Sequence, residues 1–383
     1  MSSLYPTPPA LTLDELPTPC LVLSRPKLAR NLAWMAALAQ IRGVALRPHL
    51  KTAKCTAIAQ LAAPSGAPIT VSTLREAEYF AHHGWKDQFY AVGLGPGKLP
   101  RVIALLRAGV HLITMVDHPA MATAVAVCAR QAEVRFRTVI EIESGAGRGG
   151  VAPGSSELLA IAYALGANFA GIATHAGQSY DTRTPEELAT VAKAEVSALH
   201  IAARRLREAG FACGIVSLGS SPTACAAADL EGITELRAGV YMFWDLYQAG
   251  LGLCTTKDLA LSVLAEVIGR PTDRPTEFLI DAGAFALSKD TATSALPPEK
   301  NAGYGLVCDV DGRLLPGLKV KRVWQEHGLV VSEQPLPPDA FPIGARVRIL
   351  PNHACPTAAA HDRYFVVDRG CGVVAEWPRI NGW

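Results

Sequence analysis

The chain has 383 residues, of which 50% are hydrophobic and 18% charged, a composition that suits a large buried core and about two globular domains. Its 36 Lys and Arg against 34 Asp and Glu leave a net charge of +2, and no basic run or interleaved aromatic stripe suggests a nucleic-acid groove, so small-molecule chemistry is favoured. No apolar run is long enough to span a membrane and no signal peptide is apparent, so we expect a cytoplasmic protein. The nine cysteines are scattered and form no CxxC pair, which predicts reduced thiols.

Eight short β-rich runs alternate with helical segments between about residue 44 and residue 241. The runs are VALRPH (44–49), PITVST (68–73), QFYAVG (88–93), HLITMVD (111–117), FRTVIEIE (136–143), FAGIATH (169–175), GIVSLG (214–219) and ELRAGV (235–240). This alternation is typical of repeated βα units. Eight parallel strands with helical crossovers close naturally into a (β/α)8 barrel, and an open doubly wound sheet is the alternative.

The pattern changes after about residue 256. Strand-like segments follow one another there, separated by turns rich in Pro, Gly and Asp. The segments are LALSVLAEVIGR, TEFLIDAGAFAL, YGLVCDV, LKVKRVWQEHGLVVSE, ARVRILPNH and RYFVVD. TPCLVLS (18–24) is also strand-like and could join them. We therefore predict an α/β protein with a barrel domain over 25–255 and a mostly β domain built from 1–24 and 256–383.

Three titratable side chains alternate within ALRPHLKTAK (45–54). On a β-strand, Arg47, His49 and Lys51 would leave from the same face, which would be either a wet surface or an active site. Lys51 follows the first predicted strand. Barrel enzymes carry their active sites at the C-terminal ends of the strands, so Lys51 is a candidate catalytic residue.

Further polar groups follow later strands of the predicted barrel. Arg148 follows the fifth strand, and His175 and Tyr180 follow the sixth. The segments 219–224 (GSSPTA) and 237–243 (RAGVYMF) have small residues and hydroxyls that let backbone N–H groups approach an anion. Singly, each group has an ordinary explanation, such as an ion pair, a packed tyrosine or a helix cap. Together they place a lysine opposite an anion site, which suits pyridoxal phosphate.

The motifs TPCLVLS, RPHLKTAK, VSTLREAE, THAGQSY, VSLGSSPTA, LRAGVYMFWD and PNHAC, in this order, carry a family resemblance. The chain resembles, over nearly its whole length, the D-serine dehydratase and D-threonine aldolase family of fold-type III pyridoxal-phosphate enzymes, relatives of alanine racemase. The resemblance implies that Lys51 holds the cofactor and moves the Cα proton, that Arg148 lies near its phenolic oxygen, and that Tyr180 faces its pyridine nitrogen. It also implies the remaining cofactor-binding residues, which are His175, Thr223, Gly239, Val240 and Tyr241.

A candidate metal site lies near the C-terminus, in RILPNHACPT. The i, i+2 spacing of His353 and Cys355 predicts that both side chains point to one face of an extended segment. Imidazole and thiolate are good zinc ligands, although a lone HxC is a weak signal and no third ligand follows from the sequence. The resemblance implies a divalent metal here beside the cofactor, with Cys355 favouring a dehydratase and zinc, and with manganese or cobalt as substitutes.

The activity that the resemblance implies is that of a lyase. It would dehydrate and deaminate a D-β-hydroxy amino acid, such as D-serine or D-threo-3-hydroxyaspartate, to a keto acid and ammonia. A D-threonine aldolase, which cleaves its substrate to glycine and an aldehyde, is the alternative. A non-catalytic pyridoxal-phosphate carrier is a further alternative, but such carriers resemble a bare barrel, and the predicted second domain argues against this function. The family usually forms homodimers. His327 and Asp281 are either site residues of the second domain or structural polar residues.

Overall fold

The structure is a computed structural model that describes residues 11–64 and 66–383, so residues 1–10 of the predicted β-rich domain lie outside the described residues. The chain divides into two compact units. One consists of the described residues up to Ala33 together with Val240–Asn381, and the other of Trp34–Gly239 with Gly382–Trp383. The first elements are β1 (Cys20–Ser24) and α1 (Arg25–Ile41). Within the described ranges, no helix has both the length and the apolar character needed to cross a membrane.

The unit around Trp34–Gly239, called the barrel unit below, contains eight parallel strands. They are β2 (Ala45–Leu46), β3 (Ile69–Val71), β4 (Asp87–Gly93), β5 (His111–Val116), β6 (Arg137–Glu141), β7 (Phe169–Ala173), β8 (Ile215–Gly219) and β9 (Glu235–Arg237). Their order is β2-β9-β8-β7-β6-β5-β4-β3. A parallel bridge between His49 and Thr70 closes the sheet between its two end strands. Each strand falls within or beside one predicted run, and the (β/α)8 barrel is confirmed.

Helices fill the crossovers of the barrel unit. They are α2 (Thr56–Ala62), α3 (Leu74–His82), α4 (Leu99–Arg107), α5 (Pro119–Ala132), α6 (Ser156–Leu165), α7 (Pro185–Glu208) and α8 (Ser221–Ala226). Side-chain caps define where helices begin: Thr73 Oγ1 accepts the Glu76 N–H at 3.0 Å at the start of α3. Inside the barrel, Met115 of β5 lies opposite Val139 of β6, and both join a buried apolar cluster. Because apolar side chains fill the barrel interior, the polar groups of a site are expected at the strand ends and in the loops.

The first barrel strand is shorter than predicted, because regular pairing in β2 covers only two residues. Arg47 turns into the protein interior, where Nη1 lies 2.6 Å from Asp87 Oδ1 and Nε lies 2.8 Å from Glu235 Oε2. It is therefore a buried, ion-paired residue. Lys51 instead lies in an exposed turn beyond the strand. The prediction that Arg47, His49 and Lys51 share one strand face is wrong, because β2 ends at Leu46, before all three residues.

The other unit, called the β-rich unit below, is built on a nine-stranded sheet. Besides β1, its strands are β10 (Leu261–Gly269), β11 (Glu277–Ile280), β12 (Gly305–Cys308), β13 (Leu314–Val323), β14 (Gly328–Ser332), β15 (Arg346–Pro351), β16 (Arg363–Val367) and β17 (Val373–Pro378). Their order is β11-β14-β13-β12-β15-β10-β1-β16-β17, and an additional pairing of β11 with β10 closes the first six into a barrel. Because β1 pairs with both β10 and β16, TPCLVLS does join this unit.

Three short helices interrupt the β-rich unit: α9 (Leu246–Gly250), α10 (Ala284–Leu287) and α11 (Ala354–Ala359). The strand predicted through AFAL is wrong, because β11 ends at Ile280 and these residues form α10, in which the Leu287 N–H donates to the Gly283 carbonyl at 2.9 Å. LKVKRVWQEHGLVVSE forms the hairpin of β13 and β14, with His327 exposed in its turn. Asp281 Oδ1 accepts the Glu266 N–H at 2.8 Å, which is a structural role.

Candidate active site

Two lysines follow the first barrel strand, and they differ in their partners. Lys54 Nζ pairs with the buried carboxylate of Glu76 at 3.2 Å. Lys51 lies in the exposed turn, and among the described residues no carboxylate pairs with its amine. An amine without a carboxylate partner can react as a nucleophile or a base once it loses its proton. Lys51 therefore remains the candidate for a reactive amine at this end of the barrel.

Two imidazoles lie in the electrostatic field of Lys51. Burial, and then the positive charges of Lys51 and Arg237, hold the pKa of His49 well below its usual value. Burial, followed by the charges of Lys51 and Arg148, lowers the pKa of His175 to about 3. His49 Nδ1 also accepts the backbone N–H of Lys51 at 3.4 Å. Both imidazoles are therefore neutral at pH 7, and the positive charge of this region comes from the lysine and the arginines.

Two arginines contribute to this positive region in different ways. Arg148 is exposed over 56% of its side chain, and its Nη2 lies 3.1 Å from Glu141 Oε1. Arg237 is buried and donates hydrogen bonds to the Ser217 hydroxyl and the Thr174 carbonyl. Burial lowers the pKa of Arg237 to about 10. Sequence reasoning missed Arg237, although it lies within the quoted LRAGV motif.

The end of β8 leads into a tight turn, Ser220–Thr223, which begins α8. Ser220 has φ +141° and its Oγ lies 2.7 Å from Thr223 Oγ1. Ser221 Oγ accepts the Gly239 N–H at 3.2 Å, so this turn and the end of β9 are joined. A Cβ at Gly239 would lie only 2.6 Å from the His49 carbonyl oxygen, which explains the glycine. The turn offers hydroxyl groups and small side chains, as an anion site requires.

The remaining predicted cofactor residues occupy two 3-10 turns. Tyr180 is half-buried at the end of the turn Gly177–Tyr180. Val240 and Tyr241 belong to the β-rich unit, in the turn Val240–Met242. Tyr241 is fully buried, burial raises its pKa, and its hydroxyl has no hydrogen-bond partner among the described residues. Their contacts with a cofactor remain predictions.

Pyridoxal phosphate fits the residues of the barrel unit. The cofactor and its substrate bring a phosphate and a carboxylate, which need positive charge and hydrogen-bond donors. The barrel unit supplies an unpaired amine, two guanidinium groups and the hydroxyls of the Ser220–Thr223 turn. The chemistry of this donor set therefore matches the cofactor that the sequence predicts.

The predicted metal ligands lie at the start of α11 in the β-rich unit. His353 is the N-cap residue and Cys355 lies in the first turn, so the predicted extended segment is wrong. Cys355 nevertheless lies near enough to His353 to affect the pKa of its imidazole. His353 Nδ1 lies 2.7 Å from Asp290 Oδ2, a partner 63 residues earlier in the chain. Burial alone would lower the pKa of His353, but hydrogen bonding to Asp290 and the interaction with Cys355 outweigh burial and raise this pKa to about 11.

This arrangement fits a zinc ion in the chemistry of its donors. Imidazole nitrogen and thiolate are preferred zinc ligands, and a carboxylate on the other ring nitrogen is the usual support of a metal-binding histidine. Asp290 supplies that support. Across residues 11–64 and 66–383, however, no three His, Cys, Asp or Glu side chains are grouped as a metal site. The fit therefore rests on two protein ligands, with other positions left to water or substrate.

Two family models match the chain. The model described as "Alanine racemase, N-terminal domain" matches residues 23–246, and the model described as "Putative serine dehydratase domain" matches residues 260–367. The first alone covers more than half of the chain. The chain therefore belongs to the alanine racemase-like family that includes the D-serine dehydratases and D-threonine aldolases, and the resemblance found in the sequence is confirmed.

Similar proteins cover almost the whole chain. D-threo-3-hydroxyaspartate dehydratase of Delftia sp. (strain HT23) is 42% identical over 381 residues, which are 97% of this chain and 99% of that protein. D-threonine aldolase of Arthrobacter sp. is 32% identical over 95% of this chain and 93% of its own length. A cysteine-to-alanine mutant of D-threo-3-hydroxyaspartate dehydratase, solved in the metal-free form, has a TM-score of 0.92 and 41% identity, covering 97% of this chain and 100% of that one.

Proposed function

We propose that the protein is a pyridoxal-phosphate-dependent lyase that eliminates water from a D-β-hydroxy amino acid. D-Serine and D-threo-3-hydroxyaspartate are the proposed substrates, and the products after hydrolysis are a keto acid and ammonia. The observation that carries the proposal is the unpaired amine of Lys51, which lies within the electrostatic field of the barrel's guanidinium and imidazole groups. The similarity to a D-threo-3-hydroxyaspartate dehydratase along the chain supports it.

The residues of the barrel unit have distinct proposed roles. When bound, pyridoxal phosphate supplies an electron sink for the charge that develops at the substrate Cα. Lys51 Nζ would hold the cofactor through its aldehyde and, as a free amine, would take the proton from the substrate Cα. The Ser220–Thr223 turn would hold the phosphate, Arg148 would contact the phenolic oxygen, and Tyr180 would contact the ring nitrogen.

A divalent metal is the second proposed requirement. We propose zinc, with manganese or cobalt as substitutes, held by His353 and Cys355. A bound dication would act as a Lewis acid on the β-hydroxyl, which is otherwise a poor leaving group. Asp290 holds the His353 ring in place through Nδ1. The metal-free form of the 41% identical mutant dehydratase supports a metal in this family.

A product assay tests the activity. The protein, loaded with cofactor and zinc, is incubated separately with D-serine, D-threonine, D-threo-3-hydroxyaspartate and L-serine, and keto acid, ammonia and glycine are measured. The proposal expects keto acid and ammonia in equal amounts from a D-substrate and none from L-serine. A chelator should stop turnover while the cofactor stays bound. Full activity in metal-free protein would contradict the metal's role.

A D-threonine aldolase is the second candidate, because such an enzyme is 32% identical over 95% of this chain. In that reaction a base takes the β-hydroxyl proton and the Cα–Cβ bond breaks. Glycine and an aldehyde, formed without ammonia, would identify this activity. Bound cofactor with no product from any substrate would instead indicate a cofactor carrier.

Assembly and location complete the proposal. We propose a homodimer, which the family resemblance supports and sedimentation velocity would test.

We also propose a cytoplasmic location. No disulfide joins any of the nine cysteines, all of which lie in the described part of the chain, and this agrees with a reducing compartment.

A further inference from the structure

Glu195 is a buried carboxyl group on α7 that has no place in the site described above. Its side chain is 0% exposed. Its Oε1 accepts two hydrogen bonds from the segment after β7, from the Thr174 hydroxyl at 2.9 Å and from the Ala176 N–H at 3.1 Å. A carboxyl group bonded in this way inside a protein is held in one position and holds its partners in turn.

The two donors lie on either side of His175. Glu195 therefore fixes the backbone before and after that imidazole. The Thr174 carbonyl also accepts a hydrogen bond from Arg237, so the same short segment is bonded to both of these buried side chains. The orientation of this segment thus depends on a residue about 20 positions further along the chain.

The segment that Glu195 holds is bonded to the end of β8 and to the Ser220–Thr223 turn. The Thr174 N–H donates to the Ser217 carbonyl at 3.0 Å, and Ser179 Oγ lies 3.4 Å from Ser220 Oγ. Thr223 Oγ1 lies 2.7 Å from Ser220 Oγ, and the Ser220 Oγ accepts the Thr223 N–H at 3.2 Å. One carboxyl group therefore holds the segment that carries His175, and this segment is in turn bonded to the turn proposed to hold the phosphate.

We propose that Glu195 is a positioning residue for the phosphate of the cofactor. By holding the Thr174–Ala176 segment against the Ser220–Thr223 turn, it keeps the hydroxyls of that turn in the geometry that a phosphate ester needs. This inference rests on the proposed pyridoxal-phosphate-dependent function. It requires that loss of Glu195 weakens binding of pyridoxal phosphate more than binding of pyridoxal, which has the same ring and aldehyde but no phosphate.

Four variants separate positioning from general packing. Glu195→Ala removes the acceptor, whereas Glu195→Gln keeps a carbonyl oxygen that both donors can use. Thr174→Val removes one of the two donors and keeps nearly the same shape, so it tests the idea if Glu195→Ala fails to fold. Glu208→Ala is the matched control, because Glu208 is exposed in the last turn of the same helix.

The experiment titrates pyridoxal phosphate and pyridoxal separately into the full-length, cofactor-stripped protein and follows absorbance, with near-UV circular dichroism as the check on folding. Glu195→Ala should raise the Kd for pyridoxal phosphate about tenfold or more, since about 1.4 kcal/mol corresponds to a factor of ten. Its Kd for pyridoxal should change less than about threefold. Glu195→Gln and Glu208→Ala should stay within about threefold of the wild type for both ligands.

The phosphorus NMR signal of the bound cofactor gives a second measurement. Its chemical shift should move in Glu195→Ala and Thr174→Val and stay in place in Glu195→Gln. Wild-type affinity in folded Glu195→Ala, or an equal loss for pyridoxal phosphate and pyridoxal, would overturn the inference and leave the proposed function standing. A wild-type protein that binds neither ligand would overturn the proposed function itself.

Discussion

Gly239→Ala tests how closely the last barrel strand determines the position of Lys51. Gly239 follows β9, and a Cβ at this residue would lie 2.6 Å from the carbonyl oxygen of His49 and 3.0 Å from its Cβ. Ordinary contact begins at 3.4 Å, so the backbone at His49 would have to move by about 0.8 Å. Lys51 is two residues further on and would move with it.

The magnitude follows from the kind of atom that must move. Overpacking against backbone costs about 1–3 kcal/mol of unfolding free energy. A shift of about 1 Å in a group that reacts with the substrate lowers the rate by as much as about 100-fold. We therefore expect Gly239→Ala to lower the free energy of unfolding by about 1–3 kcal/mol and kcat/KM at least about tenfold.

Urea unfolding followed by tryptophan fluorescence and steady-state kinetics with the preferred D-substrate measure the two effects. Gly97→Ala is the matched control, because no heavy atom lies within 4 Å of a Cβ placed there. It should change stability by no more than about 0.5 kcal/mol. If Gly239→Ala and Gly97→Ala behave alike in both assays, the close approach of Gly239 to His49 does not position the lysine.

Two further predictions concern stability. Burial and nearby positive charge hold the pKa of His49 and His175 below 6.5, so below pH 6.5 the unfolded chain binds protons that the folded protein does not. Urea titrations should therefore show the unfolding free energy falling between pH 6.5 and pH 5, by up to about 1.4 kcal/mol per pH unit for each histidine. An unfolding free energy that is the same at pH 6.5 and pH 5 would contradict this. Arg47→Met removes the ion-pair partner of buried Glu235 and should lower the unfolding free energy by about 3–5 kcal/mol in the same assay. The surface variant Arg101→Met should lower it by about 1 kcal/mol or less. Equal losses in the two variants would refute the burial of the Arg47–Glu235 pair.

The fold was predictable because its signals are local. Alternation of β-rich runs with helical segments lies within short windows, and each of the eight predicted barrel strands is present. The errors fall where a distant segment decides the conformation. The pattern of AFAL alone predicts a strand, but these residues form a short helix whose Ala284 N–H donates to the Trp324 carbonyl at 2.7 Å, and no local pattern contains that contact.

The candidate site divides in the same way. Lys51, Arg148 and His175 were predicted because barrel geometry gathers the residues that follow strands, and in the structure the charges of Lys51 and Arg148 both act on the His175 imidazole. Glu195 and Asp290 were missed because each acts through a partner far away in sequence. Neither lies in a motif that would distinguish it from a helix or loop carboxylate.

Borohydride reduction of the protein loaded with pyridoxal phosphate, followed by peptide mass spectrometry, shows whether the Lys51 amine holds the cofactor covalently. We expect a single reduced pyridoxyl group on Lys51, and none on Lys54, whose amine pairs with Glu76 at 3.2 Å. We also expect no labelled peptide from Lys51→Ala. A label on Lys54, or unchanged labelling in Lys51→Ala, would contradict covalent attachment through Lys51.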